Sequence, residues 1–233
     1  MTKADVIDLL DANRNERGIK SWDKLGSETK GLGSFGIGLT HLRKLAKKIG
    51  RDRELALQLW ESDNYDAKII GLLIDEPKKL TREQVERQVE DVSMGLLAHV
   101  FSSCDATLAK APFAFELAAD WVSNTDPMRR RCGYGLIYEL SKDIRNPELT
   151  DQFFLDCIER IRAQFGNEGA QTRLAMGSAL MGMGKRNKAL NEAALTLAQE
   201  LGPIDFSEGN RKCDPFDVSK HLTSETLKKK LGL

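Results

Sequence analysis

Apolar positions recur three and four residues apart along most of the chain. Leu39, Leu42, Leu45, Ala46 and Ile49 form one such row. Phe153, Phe154, Cys157, Ile158, Ile161 and Phe165 form a second, and Leu190, Ala193, Ala194, Leu197, Ala198 and Leu201 a third. That spacing gathers each set on one face of an α-helix. Clean period-two alternation is missing and β-branched residues are sparse, so no strand is predicted. Pro112 opens a helix over Phe113–Val122, and Asp126 reads as an N-cap with Pro127 at the first helical position of Met128–Leu140. Asn146-Pro147 and Gly202-Pro203 read as further breaks. The pattern predicts about ten to twelve helices, most of roughly 10 to 18 residues, with short connections that favour antiparallel pairs.

A degenerate repeat runs through these elements. Lys68 follows a helix ending in Trp60, Arg131 one ending in Trp121, and Arg173 one ending in Phe165. Each is a helix, a short turn, and a second helix with a cation near its start. The separations, 63 residues from Lys68 to Arg131 and 42 from Arg131 to Arg173, suit helical-pair repeats of about 40 residues with one further pair between the first two. An α-solenoid of stacked helix pairs is the geometric expectation, with an irregular helical bundle as the alternative.

Composition narrows the class. The chain has 233 residues, 41% apolar and 30% charged, with 35 basic and 35 acidic side chains. It is long enough for a substantial core and too apolar for a disordered tail. No apolar run reaches the length of a membrane span. Zero net charge argues against a globally basic nucleic-acid binder, but the cations cluster at Arg43–Arg53, Arg129–Arg131 and Lys185–Lys188, while acids gather at Glu61–Asp66 and Asp75-Glu76. A solenoid can face one sign inward and balance it outside. Cys104, Cys132, Cys157 and Cys213 form no close pair and no signal peptide opens the chain, so reduced thiols and a cytoplasmic location are expected. Three scattered histidines give no metal site, and no cofactor is expected.

Candidate chemistry is confined to glycines and cations. Gly31-Leu32-Gly33-Ser34-Phe35-Gly36 fits G-x-G-x-x-G, but no strand precedes it, which excludes a dinucleotide fold. It reads as a turn, or as an entry to a helix N-terminus that could hold one phosphate. On the next helix Arg43, Lys44, Lys47 and Lys48 flank the apolar face, a pattern suited to solvent or to an anionic polymer. Arg129, Arg130 and Arg131 stand in the first turns of a helix, where the dipole disfavours cations, so a carboxylate or a phosphate partner is expected. Lys185-Arg186-Asn187-Lys188 follows a glycine-laden helix end, and Lys228-Lys229-Lys230 reads as a solvated tail. No nucleophile–base pair can be assembled from sequence.

Gly36-Ile37-Gly38-Leu39-Thr40-His41-Leu42-Arg43-Lys44-Leu45-Ala46-Lys47-Lys48-Ile49-Gly50, followed by Leu55-Ala56-Leu57-Gln58-Leu59-Trp60, resembles the start of the AlkD-like DNA alkylation repair proteins. Asp120-Trp121, Arg130-Arg131-Cys132, Ala175-Met176-Gly177 and a late Cys213-Asp214 turn extend the likeness from about residue 33 to 220. The resemblance implies an all-α solenoid of HEAT-like antiparallel helix pairs with a concave basic face for duplex DNA. It implies one HEAT-like domain over residues 1–233, with residues 1–32 an irregular helical section.

Active members of the family are glycosylases for N3- and N7-alkylated purines. They grip the backbone around the lesion without flipping the base. Two tryptophans and an aspartate lie near the damaged nucleotide. The carboxylate stabilises charge developing on the deoxyribose, and an arginine holds the phosphate. Carried onto this chain, the first tryptophan position falls on Met94, the aspartate on Ala98, the second tryptophan on Ser178, and the arginine on Arg131. A shift of one residue would put His99 at the aspartate position, which restores no carboxylate; Asp91 and Asp105 are the nearest acids.

The expectation is therefore a monomeric binder of duplex or distorted DNA that lacks most of the catalytic set. Arg43, Lys44, Lys47, Lys68, Arg130, Arg131, Arg173, Lys185 and Arg186 are the candidate contacts. The alternative is a non-enzymatic solenoid that docks proteins.

Overall fold

The structure is a computed structural model that describes residues 1–92, 95–206 and 214–233. It forms two compact units, Met1–Pro112 and Phe113–Leu233. The first holds α1 (Lys3–Asp11), α2 (Glu16–Asp23), α3 (Leu39–Ile49), α4 (Arg53–Trp60), α5 (Tyr65–Ile74), α6 (Arg82–Asp91) and α7 (Leu96–Ser102). The second holds α8 (Ala114–Trp121), α9 (Pro127–Leu140), α10 (Asp151–Gln164), α11 (Ala170–Met183), α12 (Lys188–Leu201), α13 (Val218–Leu222) and α14 (Glu225–Leu231). Among the described residues the only β pairings are two isolated bridges, Gly33 with Asn64 and Ile204 with Phe216.

The all-helical expectation holds, but the helices are more numerous and several are shorter than periodicity alone predicts. Polar caps make the difference. Asp52, Asn64 and Thr81 each accept a hydrogen bond from a backbone N–H of the first turn that follows, starting α4, α5 and α6 without any proline. Asp126 caps α9 in the same way and Pro127 is its first residue, as its sequence predicts.

Within each unit the helices pack in pairs. In the first, α4 lies against α5, and α5 also carries α3 and α7. In the second, α8 lies against α9 and α9 against α11. Helices α6 and α7 lie in sequence between α5 and α8, and α7 packs against α5. Two glycines set the closest approaches. A Cβ on Gly71 would lie 2.9 Å from the Ala56 carbonyl oxygen, and one on Gly133 would lie 2.8 Å from the Val122 backbone nitrogen. Both distances are too short for any side chain, so glycine lets the second helix of each pair rest on the backbone of the first. The cores are conventional: Leu42, Leu59, Ile69, Ile70 and Leu97 are fully buried in the first unit, and Trp121, Tyr134, Leu136 and Phe154 are almost completely so in the second.

Candidate nucleic-acid interface

The fourth residue of α5, α9 and α11 is a cation in every case: Lys68, Arg130 and Arg173. Each turns back onto the C-terminal carbonyls of the preceding helix or the turn just after it. Lys68 Nζ donates to the Trp60 carbonyl at the end of α4 and lies 4.7 Å from the centre of the Trp60 ring. Arg130 Nη1 donates to the carbonyls of Asn124 at 3.0 Å and Thr125 at 2.7 Å, just past α8. Arg173 donates to Phe165 at 3.0 Å and Gly166 at 2.8 Å, just past α10. A helix end carries unsatisfied carbonyls and partial negative charge, so a cation there serves as both donor and countercharge. The repeating cation is thus a clip between paired helices.

The clip corrects the register of the repeat by one residue. Arg130, not Arg131, is the equivalent of Lys68 and Arg173, so the separations are 62 and 43 residues. Sequence alone does not separate the two arginines, because each has a plausible neighbour. Arg130 also forms a two-point pair with Glu168, Nε to Oε1 at 2.5 Å and Nη2 to Oε2 at 2.9 Å, and the Glu168 side chain is only 5% exposed. This carboxylate raises the Arg130 pKa further above the usual guanidinium range. Of the two partners expected for the α9 arginines, Arg130 has the carboxylate.

Other candidate contacts are similarly engaged. Lys68 is buried, and desolvation pushes its amine below the usual lysine range, opposed by the charges of Asp91, Glu61 and Asp63. Arg43 donates from Nη2 to the Cys104 carbonyl and to its Sγ, across a turn where Cys104 and Asp105 both have positive φ. Arg186 donates to the carbonyls of Ser141 at 2.9 Å and Asp143 at 2.8 Å, past the end of α9, and lies 4.5 Å from the Phe154 ring centre. Its pKa is lowered by burial. Arg51 bonds the Leu73 and Asp75 carbonyls and Thr107 Oγ1, and Arg53 pairs with Asp75 at 3.0 Å. These engaged side chains hold elements of their own unit together.

Lys44 and Lys47, with Lys48, remain exposed along α3. Lys47 and Lys48 occupy its last turn, where the helix dipole favours cations. Arg131 is half-buried and reaches from α9 toward α11, with Nη2 3.4 Å from Gln171 Oε1. Lys185 is half-buried just after α11.

The glycine-rich segment has a different use from the phosphate cradle its sequence allows. Asp66, in the first turn of α5, accepts from Ser34 Oγ and the Phe35 N–H at 2.7 Å each, and from the Ile37 N–H at 3.2 Å. The loop amides that could meet a phosphate are occupied by the chain's own carboxylate. Burial raises the Asp66 pKa, and these three donors oppose that shift. Trp22 Nε1 donates to the Leu32 carbonyl at 2.9 Å and pins the same loop, while the Trp22 ring rests 4.4 Å from that of Tyr65. Asp66 and Glu168 carry no sequence signal of this role, because their partners are 29 to 38 residues away.

Besides Arg131, the three remaining family chemistry positions fall as follows. Met94 lies outside the described residues. Ala98 is 2% exposed and points its methyl into the core of the first unit, while Leu96 and His99 form the exposed side of α7. Ser178 is half-buried and donates from Oγ to the Leu174 carbonyl at 3.0 Å. No Asp or Glu occurs in Leu96–Ser102, so α7 offers no carboxylate in either register. Asp91 and Asp105 are exposed on flanking segments. Cys213, of the late turn, lies outside the described residues. Among the described residues there is no group of three or more His, Cys, Asp or Glu that could hold a metal, and no helix is long and apolar enough to cross a membrane. Cys104, Cys132 and Cys157 are not in disulfides, and burial pushes the Cys157 thiol up to about 12.

Comparison with known proteins places this geometry. The chain is 25% identical over 232 residues to the uncharacterized protein Lmo0209 of Listeria monocytogenes, covering 95% of this chain and 96% of that one. It is 24% identical, with the same coverage, to the uncharacterized protein Lin0241 of Listeria innocua. Among solved structures it superposes, with a TM-score of 0.84 and 23% identity, over 100% of its length on 97% of a member of "a new family of proteins related to the HEAT-like repeat DNA glycosylases with affinity for branched DNA structures". The fold is therefore the HEAT-like one that the family resemblance implies. The family described as "DNA alkylation repair enzyme" matches residues 6–209, and the chain belongs to that family.

Proposed function

We propose that the protein binds the backbone of duplex or branched DNA and does not excise alkylated bases. The observation that carries the binding half is the row Lys44, Lys47 and Lys48, exposed on α3 while neighbouring arginines are engaged within the chain. A flexible exposed lysine is a point charge suited to phosphates whose positions vary with DNA shape. Arg131, the surviving family position, is the proposed phosphate contact of the second unit. The structural relative's affinity for branched DNA supports the same partner class.

Loss of excision follows from the α7 segment. An alanine cannot stabilise an oxocarbenium ion, and loss of one preorganised electrostatic group typically costs about 3 kcal/mol, or a factor of 10² to 10³ in rate. Ala98 is also buried, so no solvent-facing carboxylate is created by changing it alone.

Labelled duplex, nicked and branched DNA titrated across a salt series tests the binding. A steep log–log dependence is expected, and absence of binding at about 50 mM salt would refute the proposal. Release of 7-methylguanine or 3-methyladenine from alkylated DNA tests the second half. No release above background is expected; robust excision that survives Asp91→Asn and Asp105→Asn would contradict it. Arg131→Ala should weaken DNA binding, and unchanged affinity would remove that residue from the interface.

A further inference from the structure

A second concentration of positive charge lies at the other end of α9 from Arg131. Tyr138, Ser141, Lys142, Lys185, Arg186 and Lys230 line a cleft of about 270 Å³ within the second unit. Arg131 and Ser141 are ten residues apart along the helix, or about 15 Å at 1.5 Å per residue. One phosphate group cannot touch both ends.

The charges in the cleft are unequally compensated. Lys142 is neutralised by Glu139, with both carboxylate oxygens at 2.9 Å, and lies over the Tyr138 ring at 4.4 Å. Arg186 is committed to the carbonyls past α9. Lys185 and Lys230 have no ion pair with a carboxylate among the described residues. Lys230 Nζ donates weakly to the Lys185 carbonyl at 3.4 Å, which draws the two lysines together. The Lys185 pKa is lowered first by burial and then by the charge of Lys230, with no acid opposing it. The partly desolvated Lys185 ammonium and the exposed Lys230 ammonium beside it repel each other, and an anion between them would relieve the repulsion. Lys230 is exposed, as its sequence predicts, and α14 brings it to the rim of the cleft.

We infer that this cleft is a phosphate site in which Lys185 and Lys230 clasp a phosphate group, separate from the proposed Arg131 contact. The same chemistry could come from a nucleic-acid strand or from a small phosphorylated molecule. Ile144 is 77% exposed at the rim, an apolar surface against which a sugar or base could rest.

The full chain is heated in about 10 mM inorganic phosphate and in chloride of equal ionic strength, as wild type and as Lys185→Met/Lys230→Met. Phosphate should raise the wild-type melting temperature by about 2–4 °C relative to chloride and leave the variant unmoved. Lys185→Arg alone should retain the response, since it keeps the charge. DNA titrations of the same double variant separate the sources. A salt slope reduced by about 1 to 2 identifies a DNA phosphate, whereas an unchanged slope with the phosphate response abolished identifies a small phosphorylated ligand. No phosphate-specific shift in the wild type, or an equal shift in the variant, would overturn the inference. If wild type binds no DNA but shows the shift, the DNA-binding proposal fails and this site stands.

Discussion

The basic face of α3 and the first turns of α9 look alike as strings of Lys and Arg, yet they spend their charge differently. On α3 the lysines Lys44, Lys47 and Lys48 are exposed, with Lys47 and Lys48 in the last turn, where the helix dipole favours them. On α9 Arg130 enters a turn that repels cations and is recovered by Glu168 and by two carbonyls beyond α8. What separates the two regions is the supply of unsatisfied acceptors nearby. A helix-pair junction offers free carbonyls that capture the cation in the first turn of the second helix, whereas Lys44, Lys47 and Lys48 project from α3 into solvent. Density of positive charge along a sequence is therefore a poor guide to which charges remain available for a polyanion.

The largest test of this contrast is Arg130→Met. It strands Glu168, whose side chain is 5% exposed, and releases the carbonyls beyond α8. Breaking a buried pair on one side typically costs about 3–5 kcal/mol, to be read from urea unfolding. Adding Glu168→Leu should recover much of that loss, because the remaining charge is removed. A single variant as stable as wild type would mean that Arg130 is not a clip.

Next in size is Asp66→Asn. An amide can accept from only some of the three donors that now meet the carboxylate, so the expected loss is about 1–3 kcal/mol. Hydrogen exchange should quicken first at the Phe35 and Ile37 amides; unchanged protection there would show that the glycine-rich loop is held by something else.

The smallest effect on stability belongs to Lys44→Met/Lys47→Met. Exposed substitutions of this kind stay within about 0.5 kcal/mol. A larger loss would show that these lysines, too, are used internally.

Much of the fold is legible in the residues because local signals agree. Asp126-Pro127 starts α9 where cap chemistry requires, and the rows at Leu39–Ile49 and Leu190–Leu201 are inward faces, buried at Leu42, Leu45, Ala46, Leu190, Ala194, Leu197 and Ala198. Even the repeat is visible in Trp60, Trp121 and Phe165, each followed by a cation. Its exact register is not, because Arg130 and Arg131 are adjacent and only the carbonyls beyond α8 choose between them. The candidate site is less legible for the same reason at longer range. Whether Lys68 or Lys44 faces solvent depends on which helix end lies beside it, and Asp66 and Lys230 acquire their roles from segments far away in sequence.

The most direct test compares DNA affinity across a salt series for wild type, Lys44→Met/Lys47→Met and the clip variant Arg173→Met, each confirmed folded by its circular dichroism. The proposal predicts that the lysine double variant lowers the log–log slope by about 2 while Arg173→Met leaves it unchanged. The reverse result, a slope reduced by Arg173→Met and unaffected by loss of the two lysines, would contradict the division between clip and contact cations.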